Sequence, residues 1–449
     1  MPKKGLPGLS TQLKDKLIQQ ALDRRLRKIG HSSTAEAPIT VTAKLVNTPE
    51  QHYRFHLHSS YQQIRILNDS AVQLGIGNPF FKLHEGIAGA TTQIGGLEYI
   101  NYASYNYLAL SGHPETNKAA KKAIDCYGTS VSASRLVSGE RPIHRELEQA
   151  IAKVYDVEDA IVLVSGHATN VTVIGHLFGP KDLILHDELV HNSILQGITL
   201  SGAKRLPFPH NDSTTLDAIL TEQRQYFERV LIVVEGIYSM DGDYPNLPDF
   251  VDIKNKHKVF LMVDEAHSFG VMGKTGLGIR QHFNLKGNDV DIWMGTLSTA
   301  LAGCGGYIAG RMALVENLKF LAPGFLYSVG MPPPNAAASL AALKTLQREP
   351  ERVIALQERG RFFLEQAKAM SIETGTSTGL AIIPVITGCS IKAVRLSTAL
   401  FKRGINVQPI LYPAVPEKCA RLRFFMSCQH TEAHILQTIL AIAEELQSL

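Results

Sequence analysis

The sequence predicts an α/β protein, with a mainly parallel sheet between helices and a smaller carboxy-terminal α/β region. Two observations predict it. Short apolar runs alternate with helical or loop segments: Ala160-Ile-Val-Leu-Val164, Leu183-Ile-Leu185, Val230-Leu-Ile-Val-Val234, Val259-Phe-Leu-Met-Val263 and Ile292-Trp-Met294. Runs that are apolar throughout suit strands covered on both faces. Small or ionisable residues stand just past each run, where parallel sheets place their chemistry.

In chain order, Ser10 caps a predicted helix reaching about Ile29, with Leu13, Leu17, Ala21, Leu22 and Leu26 on one face. Arg24, Arg25, Arg27 and Lys28 crowd its end, which suits the negative pole of a helix. It reads as a peripheral helix on its own body or a second subunit; a docking element for a carrier protein is the sharper alternative. The polar stretch 31–38 is a linker. A second helical pattern covers about Pro49 to Leu74 and carries His52, His56 and His58, but no carboxylate or thiol at ligand spacing completes a metal site. From Leu97 a strand runs into a turn. His113-Pro-Glu opens a helix ending near Tyr127-Gly128, small residues follow to Ser134, and His144 to Val154 is helical. Past Pro332-Pro-Pro334 a long helical pattern reaches toward Met370, then come strands near 380–386 and 421–426 and a last helix from about Thr431. The expected division is an amino-terminal helical extension and linker (1–94), a large domain (95–334) and a small one (335–449).

With 45% hydrophobic and 19% charged residues, the composition is that of an ordinary globular protein. A net charge of +4, from 45 basic against 41 acidic residues, is too slight to argue for nucleic acid. The cysteines Cys126, Cys304, Cys389, Cys419 and Cys428 are odd in number and scattered, which argues against a disulfide framework or zinc and for a reducing cytoplasm. No signal-peptide core and no bilayer-length apolar run is present, so a soluble protein is expected.

Four features stand at the strand ends. Ser165-Gly-His-Ala-Thr-Asn170 leads into a helix whose free N–H groups suit a phosphate. His191 follows the second run, Glu235-Gly-Ile-Tyr-Ser-Met-Asp-Gly-Asp243 the third, and Asp264 and His267 the fourth. An acid at the end of a buried strand must be solvated, paired or set against a cationic ligand. Each feature alone has a bland structural reading; in this order and spacing they point to a site.

From about Asn101 to the carboxyl end the chain resembles the α-oxoamine synthases, pyridoxal-phosphate (PLP) enzymes of the fold-type I aminotransferase superfamily. The strings that carry the resemblance are Asn106-Tyr-Leu, Ser138-Gly, His144-Arg-Glu-Leu-Glu148, Phe208-Pro-His-Asn-Asp212, Glu235 to Asp243, Val263-Asp-Glu-Ala-His-Ser-Phe-Gly270, Gly295-Thr-Leu-Ser, Tyr327-Ser with Met331-Pro-Pro, and Arg421-Leu-Arg423. In the first hundred residues, Gly77-Asn-Pro-Phe-Phe and Ile94-Gly-Gly-Leu-Glu-Tyr look more like members of polyketide assembly lines.

The resemblance implies roles position by position. Asp264 pairs with the pyridine nitrogen, His267 and Ser239 lie at the phenolic oxygen, and His191 stacks on the ring. Gly166, His167 and Thr296 hold the phosphate, joined by Ser328 from the other subunit of a homodimer with shared active sites. Asn106, Ser134 and Arg423 sit near the amino-acid substrate, Arg423 gripping its carboxylate. The implied reaction joins an amino acid to an acyl thioester, on coenzyme A or an acyl-carrier protein, with loss of CO₂, giving an α-aminoketone. A plain aminotransferase fits these strings less well.

One departure outweighs the others. The family has Gly-Thr-Leu-Ser-Lys, and this chain has Gly295-Thr-Leu-Ser-Thr299. The lysine forms the Schiff base and moves the Cα proton; threonine has no amine and does neither. Either the chain is a non-catalytic subunit of a heterodimer whose partner supplies the lysine, or it is an inactivated or trapped enzyme. The presence of Asp264, His267, His191, Ser239 and Thr296 favours the second.

Overall fold

The structure is a computed structural model and describes residues 48–73 and 77–449. The expected helix at 10–29 and the linker at 31–38 lie outside the described residues. The described residues up to Ser70 group as one compact unit and those from Ala71 to Leu449 as another. The expected helix from Pro49 begins instead as two single 3₁₀ turns, Glu50–His52 and Phe55–Leu57, before a true helix at Ser59–Gln73. His58 Nδ1 lies 2.8 Å from Ser60 Oγ.

Among its described residues the second unit carries thirteen strands: β1 (Thr91–Ile94), β2 (Leu97–Asn101), β3 (Asp159–Leu163), β4 (Leu183–Asp187), β5 (Lys204–Phe208), β6 (Val230–Glu235), β7 (Phe260–Asp264), β8 (Ile292–Thr296), β9 (Gly306–Gly310), β10 (Ile382–Ile386), β11 (Ile405–Asn406), β12 (Gln408–Ile410) and β13 (Arg421–Phe425). Seven form the main sheet in the order β3-β9-β8-β7-β6-β4-β5. The pairs β4–β5, β4–β6, β6–β7 and β7–β8 are parallel, and β9 runs antiparallel to β3 and β8. Period-two alternation splits each central strand between two cores. Val230, Ile232 and Val234 face one, Leu231 and Val233 the other, with Ile194 and Ile198 of the helix Asn192–Ser201. Sequence periodicity did not mark β5 or β9. β5 is a sheet edge with Pro207 inside it, tolerable only where no ladder bond is missed.

Glycines make the sheet's closest contacts. A Cβ on Gly306 would lie 2.8 Å from Gly166 Cα, so the start of β9 and the start of the helix Gly166–Leu177 touch backbone to backbone. Around Gly295, a Cβ would meet the Tyr307 ring at 2.2 Å.

Two smaller sheets, β10-β13-β12 and β1-β2-β11, complete the unit. β2 pairs with β11, so residues 97–101 are tied to the carboxy-terminal region, and the helix Pro333–Arg348 runs across position 334.

His210 joins the main sheet to the carboxy-terminal region. Its Nδ1 lies 3.0 Å from Asp187 Oδ1 and its Nε2 3.0 Å from Asp243 Oδ2, while Thr376 Oγ1 donates to the same Asp243 oxygen at 2.6 Å. Burial alone would pull the imidazole down; the two carboxylates outweigh it, and its pKa is pushed up to about 10. The folded value lies above the unfolded one, so this stabilisation is complete below pH ~6.5 and is lost as pH rises through about 10. His210→Gln is expected to cost about 3 kcal/mol in urea melts at pH 7, the loss typical of breaking a buried ion pair. The gap between variant and parent should close as the melts are repeated upward through about pH 10; a gap independent of pH would refute the charged state.

Candidate active site

Asp264 ends β7 and is 4% exposed. Its Oδ2 accepts from Asn170 Nδ2 at 2.8 Å and its Oδ1 from the backbone N–H of Ala266 at 2.9 Å. Burial raises its pKa, and these two donors with His191 oppose the rise. Among the described residues no cationic side chain forms an ion pair with Asp264. Beside it, Glu235 closes β6 and accepts from the His191 N–H; burial and the nearby Asp264 push its pKa well up.

His267 follows three residues later. Its Nδ1 lies 2.8 Å from the Tyr107 hydroxyl, and its ring is parallel to that of Phe425 with centroids 6.3 Å apart. Burial, then Arg423 and His191, drives its pKa down to about 3, so the ring is neutral at pH 7. Arg423, on β13, donates from Nη1 to the Ser239 carbonyl at 2.8 Å and places its guanidinium carbon 4.6 Å from the Phe425 ring centre. No carboxylate among the described residues pairs with it, and its buried Nε has no hydrogen-bond partner. Neighbouring Arg421 differs: it is tied to Asp241 at 2.5 Å.

His191 Nδ1 accepts from the Ser193 N–H at 3.2 Å and lies 2.7 Å from Ser193 Oγ. The His167 ring meets it edge to face, centroids 6.2 Å apart. His167 and Gly166 open a 12-residue helix capped by Ser165, whose Oγ accepts from the Ala168 N–H at 3.3 Å. First-turn N–H groups have no partner within a helix, so this end attracts anions. A Cβ at Gly166 would stand 2.8 Å from Thr296 Oγ1, so only glycine leaves the cradle open. Thr296 Oγ1 itself donates to the Gly305 carbonyl at 3.0 Å.

Thr299 is buried, and its hydroxyl donates to the Ala266 carbonyl at 3.0 Å, in the turn between Asp264 and His267. Beside it opens a cavity of about 380 Å³ lined by Thr299, Ser298, Tyr105, Asn106, Asn101 and His84 among others. Asn106 reaches this cavity, but its amide staples the loop: Nδ2 donates to the Ala88 and Ser111 carbonyls and Oδ1 accepts from the Ser111 N–H. Ser134 and Ser328 form a separate group around Arg135. The Ser134 Oγ is buried without a partner, and Ser328 shares a narrow cleft with Arg135.

The structure thus brings Asp264, His267, His191, His167, Ser239, Arg423 and Thr299 to one place and sets Gly166 against Thr296. Sequence reasoning missed Asn170, Ser193 and Tyr107. Asn170 stood inside the quoted Ser165–Asn170 string, and its spacing from Gly166, one helical turn, was the available signal.

Residues 98–442 match the family described as Aminotransferase class I and II. The 8-amino-7-oxononanoate synthase of Symbiobacterium thermophilum is 40% identical over 351 residues, covering 78% of this chain and 89% of the relative. That of Fervidobacterium nodosum is 41% identical over 351 residues, covering 78% and 88%. Among solved structures, a lysine-to-alanine serine palmitoyltransferase from S. paucimobilis with a bound PLP–myriocin aldimine aligns with a TM-score of 0.83 at 27% identity, over 87% of this chain and 98% of the other. An 8-amino-7-oxononanoate synthase from Francisella tularensis aligns at 0.69 and 29% identity, over 78% and 98%. On this evidence the chain belongs to the aminotransferase class I and II family, within its α-oxoamine synthase group.

Proposed function

We propose that this chain binds PLP in the site around Asp264 and derives from an enzyme that condenses an amino acid with an acyl thioester, held in an inactive or trapped form by Thr299. The observation that carries the reading is Asp264: a buried carboxylate at a strand end, held by two neutral donors and lacking a cationic partner among the described residues. A protonated ring nitrogen suits that place. The open backbone at Gly166 and the free N–H groups beside it suit a phosphate at the other end. PLP, once bound, supplies an electron sink for the charge left at Cα.

The chain's own residues divide the remaining work. Asp264 keeps the proton on the ring nitrogen. His267 is neutral and offers a hydrogen bond without a charge, with its orientation fixed by Tyr107. Arg423, still possessing an unpaired Nε–H, holds the substrate carboxylate. Thr299 donates its only polar hydrogen to Ala266 and takes no proton from Cα. The shared site of a homodimer fits the exposed side chains around Ser328 and Ser134: Tyr327 is 88% exposed and Val137 80%, an apolar rim that a second copy would cover. The acyl donor is a coenzyme A or carrier-protein thioester.

Titrating the purified chain with PLP should give a saturable change in its visible spectrum, followed by a slow further change on adding a reacting amino acid. Absence of any PLP signal would sink this reading and leave a non-catalytic subunit whose partner supplies the cofactor site.

A further inference from the structure

One buried side chain in the site is used by none of these roles. Asn170 is 1% exposed and lies on the helix whose first residues, Gly166 and His167, form the cradle. Its Nδ2 donates to two acceptors, Asp264 Oδ2 at 2.8 Å and Ser193 Oγ at 2.9 Å. An ionised carboxylate only accepts, so the nitrogen of the amide, not its oxygen, must face Asp264. Both amide hydrogens are then committed, and Oδ1 is left buried without a partner.

The chain of donors continues past Ser193. Having accepted from Asn170, the Ser193 hydroxyl turns its own hydrogen toward His191 Nδ1, 2.7 Å away. The Ser193 N–H points at the same nitrogen from 3.2 Å. With two donors aimed at Nδ1, the neutral His191 ring carries its hydrogen on Nε2.

We propose that Asn170 is a positioning residue that couples Asp264 to His191 through Ser193, fixing together the carboxylate and the imidazole tautomer that the site presents to its ligand. The carboxylate end rests on the reading of the site as a PLP cradle; the imidazole end does not. One helix then serves both ends of the ligand, its first N–H groups at the phosphate and its fifth residue at the ring. The unpartnered Oδ1 argues against a purely structural role, because a side chain retained for packing alone would cost less as an apolar one.

The test uses the full-length chain with ¹⁵N-labelled histidines, the His191 signals being assigned by their loss in His191→Gln. The parent should show His191 as the Nε2–H tautomer without added PLP. In Asn170→Ala and the isosteric Asn170→Asp, with thermal melts confirming a folded protein, His191 should become a mixture of tautomers. Asn170→Ala should also bind PLP about 10–100-fold more weakly, the loss expected for one hydrogen bond to a charged group. Ser193→Ala should disturb the His191 tautomer while leaving PLP affinity near the parent's, because Asp264 keeps its amide donor. An unchanged single His191 tautomer in both folded Asn170 variants overturns the proposal, as does unchanged PLP affinity in Asn170→Ala. If the parent itself binds no PLP, the cofactor reading fails, and the His191 signals still decide whether Asn170 sets the tautomer.

Discussion

On the proposed reading of Thr299, Thr299→Lys should yield a chain that turns over. The side chain at 299 leaves the backbone beside the Ala266 carbonyl, between Asp264 and His267, and a cavity of about 380 Å³ gives a longer chain room. The substitution sacrifices one hydrogen bond, worth about 1 kcal/mol. It gains an amine in a site where burial lowers the cost of its neutral form, the form that attacks an aldehyde and accepts a proton. A positioned base contributes about 10²–10⁴-fold, so aminoketone formation followed by mass spectrometry should rise at least ~100-fold. Intact-mass analysis after hydride reduction should show the cofactor attached to the variant and not to the parent. Thr299→Met, similar in length but without an amine, should bind PLP and stay inactive. A Thr299→Lys protein that folds and binds PLP yet neither links to it nor turns over would defeat the trapped-enzyme reading.

The sequence made the sheet legible because its central strands are buried on both faces and read as short, uniformly apolar runs alternating with helical or loop segments. The ends of those runs also exposed Asp264, His191 and His267. What stayed hidden follows from the same physics. β5, as an edge, needs no apolar run, and β9 offers only the three apolar residues Tyr307 to Ala309 between two glycines, the first of which approaches the helix at Gly166 too closely for a side chain. Asn170 was hidden because a buried amide looks like any helical polar residue until its partners, 23 and 94 residues away, are in place. Arg423 was marked by resemblance, but its lack of a carboxylate partner is a fact of three dimensions, and so is the way Arg421, two residues earlier, is neutralised by Asp241.

Arg135→Leu should cost about 3–5 kcal/mol, the largest stability loss expected of any single change near the site. Arg135 is 5% exposed, and its guanidinium makes four hydrogen bonds: Nε and Nη2 take both oxygens of Glu140 at 2.6 and 2.8 Å, and Nη1 donates to Glu148 at 2.6 Å and to the Val162 carbonyl at 3.3 Å. Glu140 is half exposed and can return to water. Glu148 is 0% exposed and cannot. Lys319, 3.3 Å from it, and Arg145, at 3.6 Å, offset only part of the loss. The consequence reaches the Ser328 segment because Arg135 anchors the turn 135–139, and the adjacent Ala133 carbonyl accepts from the Gly330 N–H at 3.0 Å, two residues from Ser328. Urea melts of Arg135→Leu, Glu148→Leu and the double variant separate the causes. If the cost is an unpaired buried charge, the double variant should be more stable than Arg135→Leu alone, since no carboxylate is then stranded. If the two losses simply add, Arg135 acts through packing and its other contacts, and the ion pair is not what holds this turn.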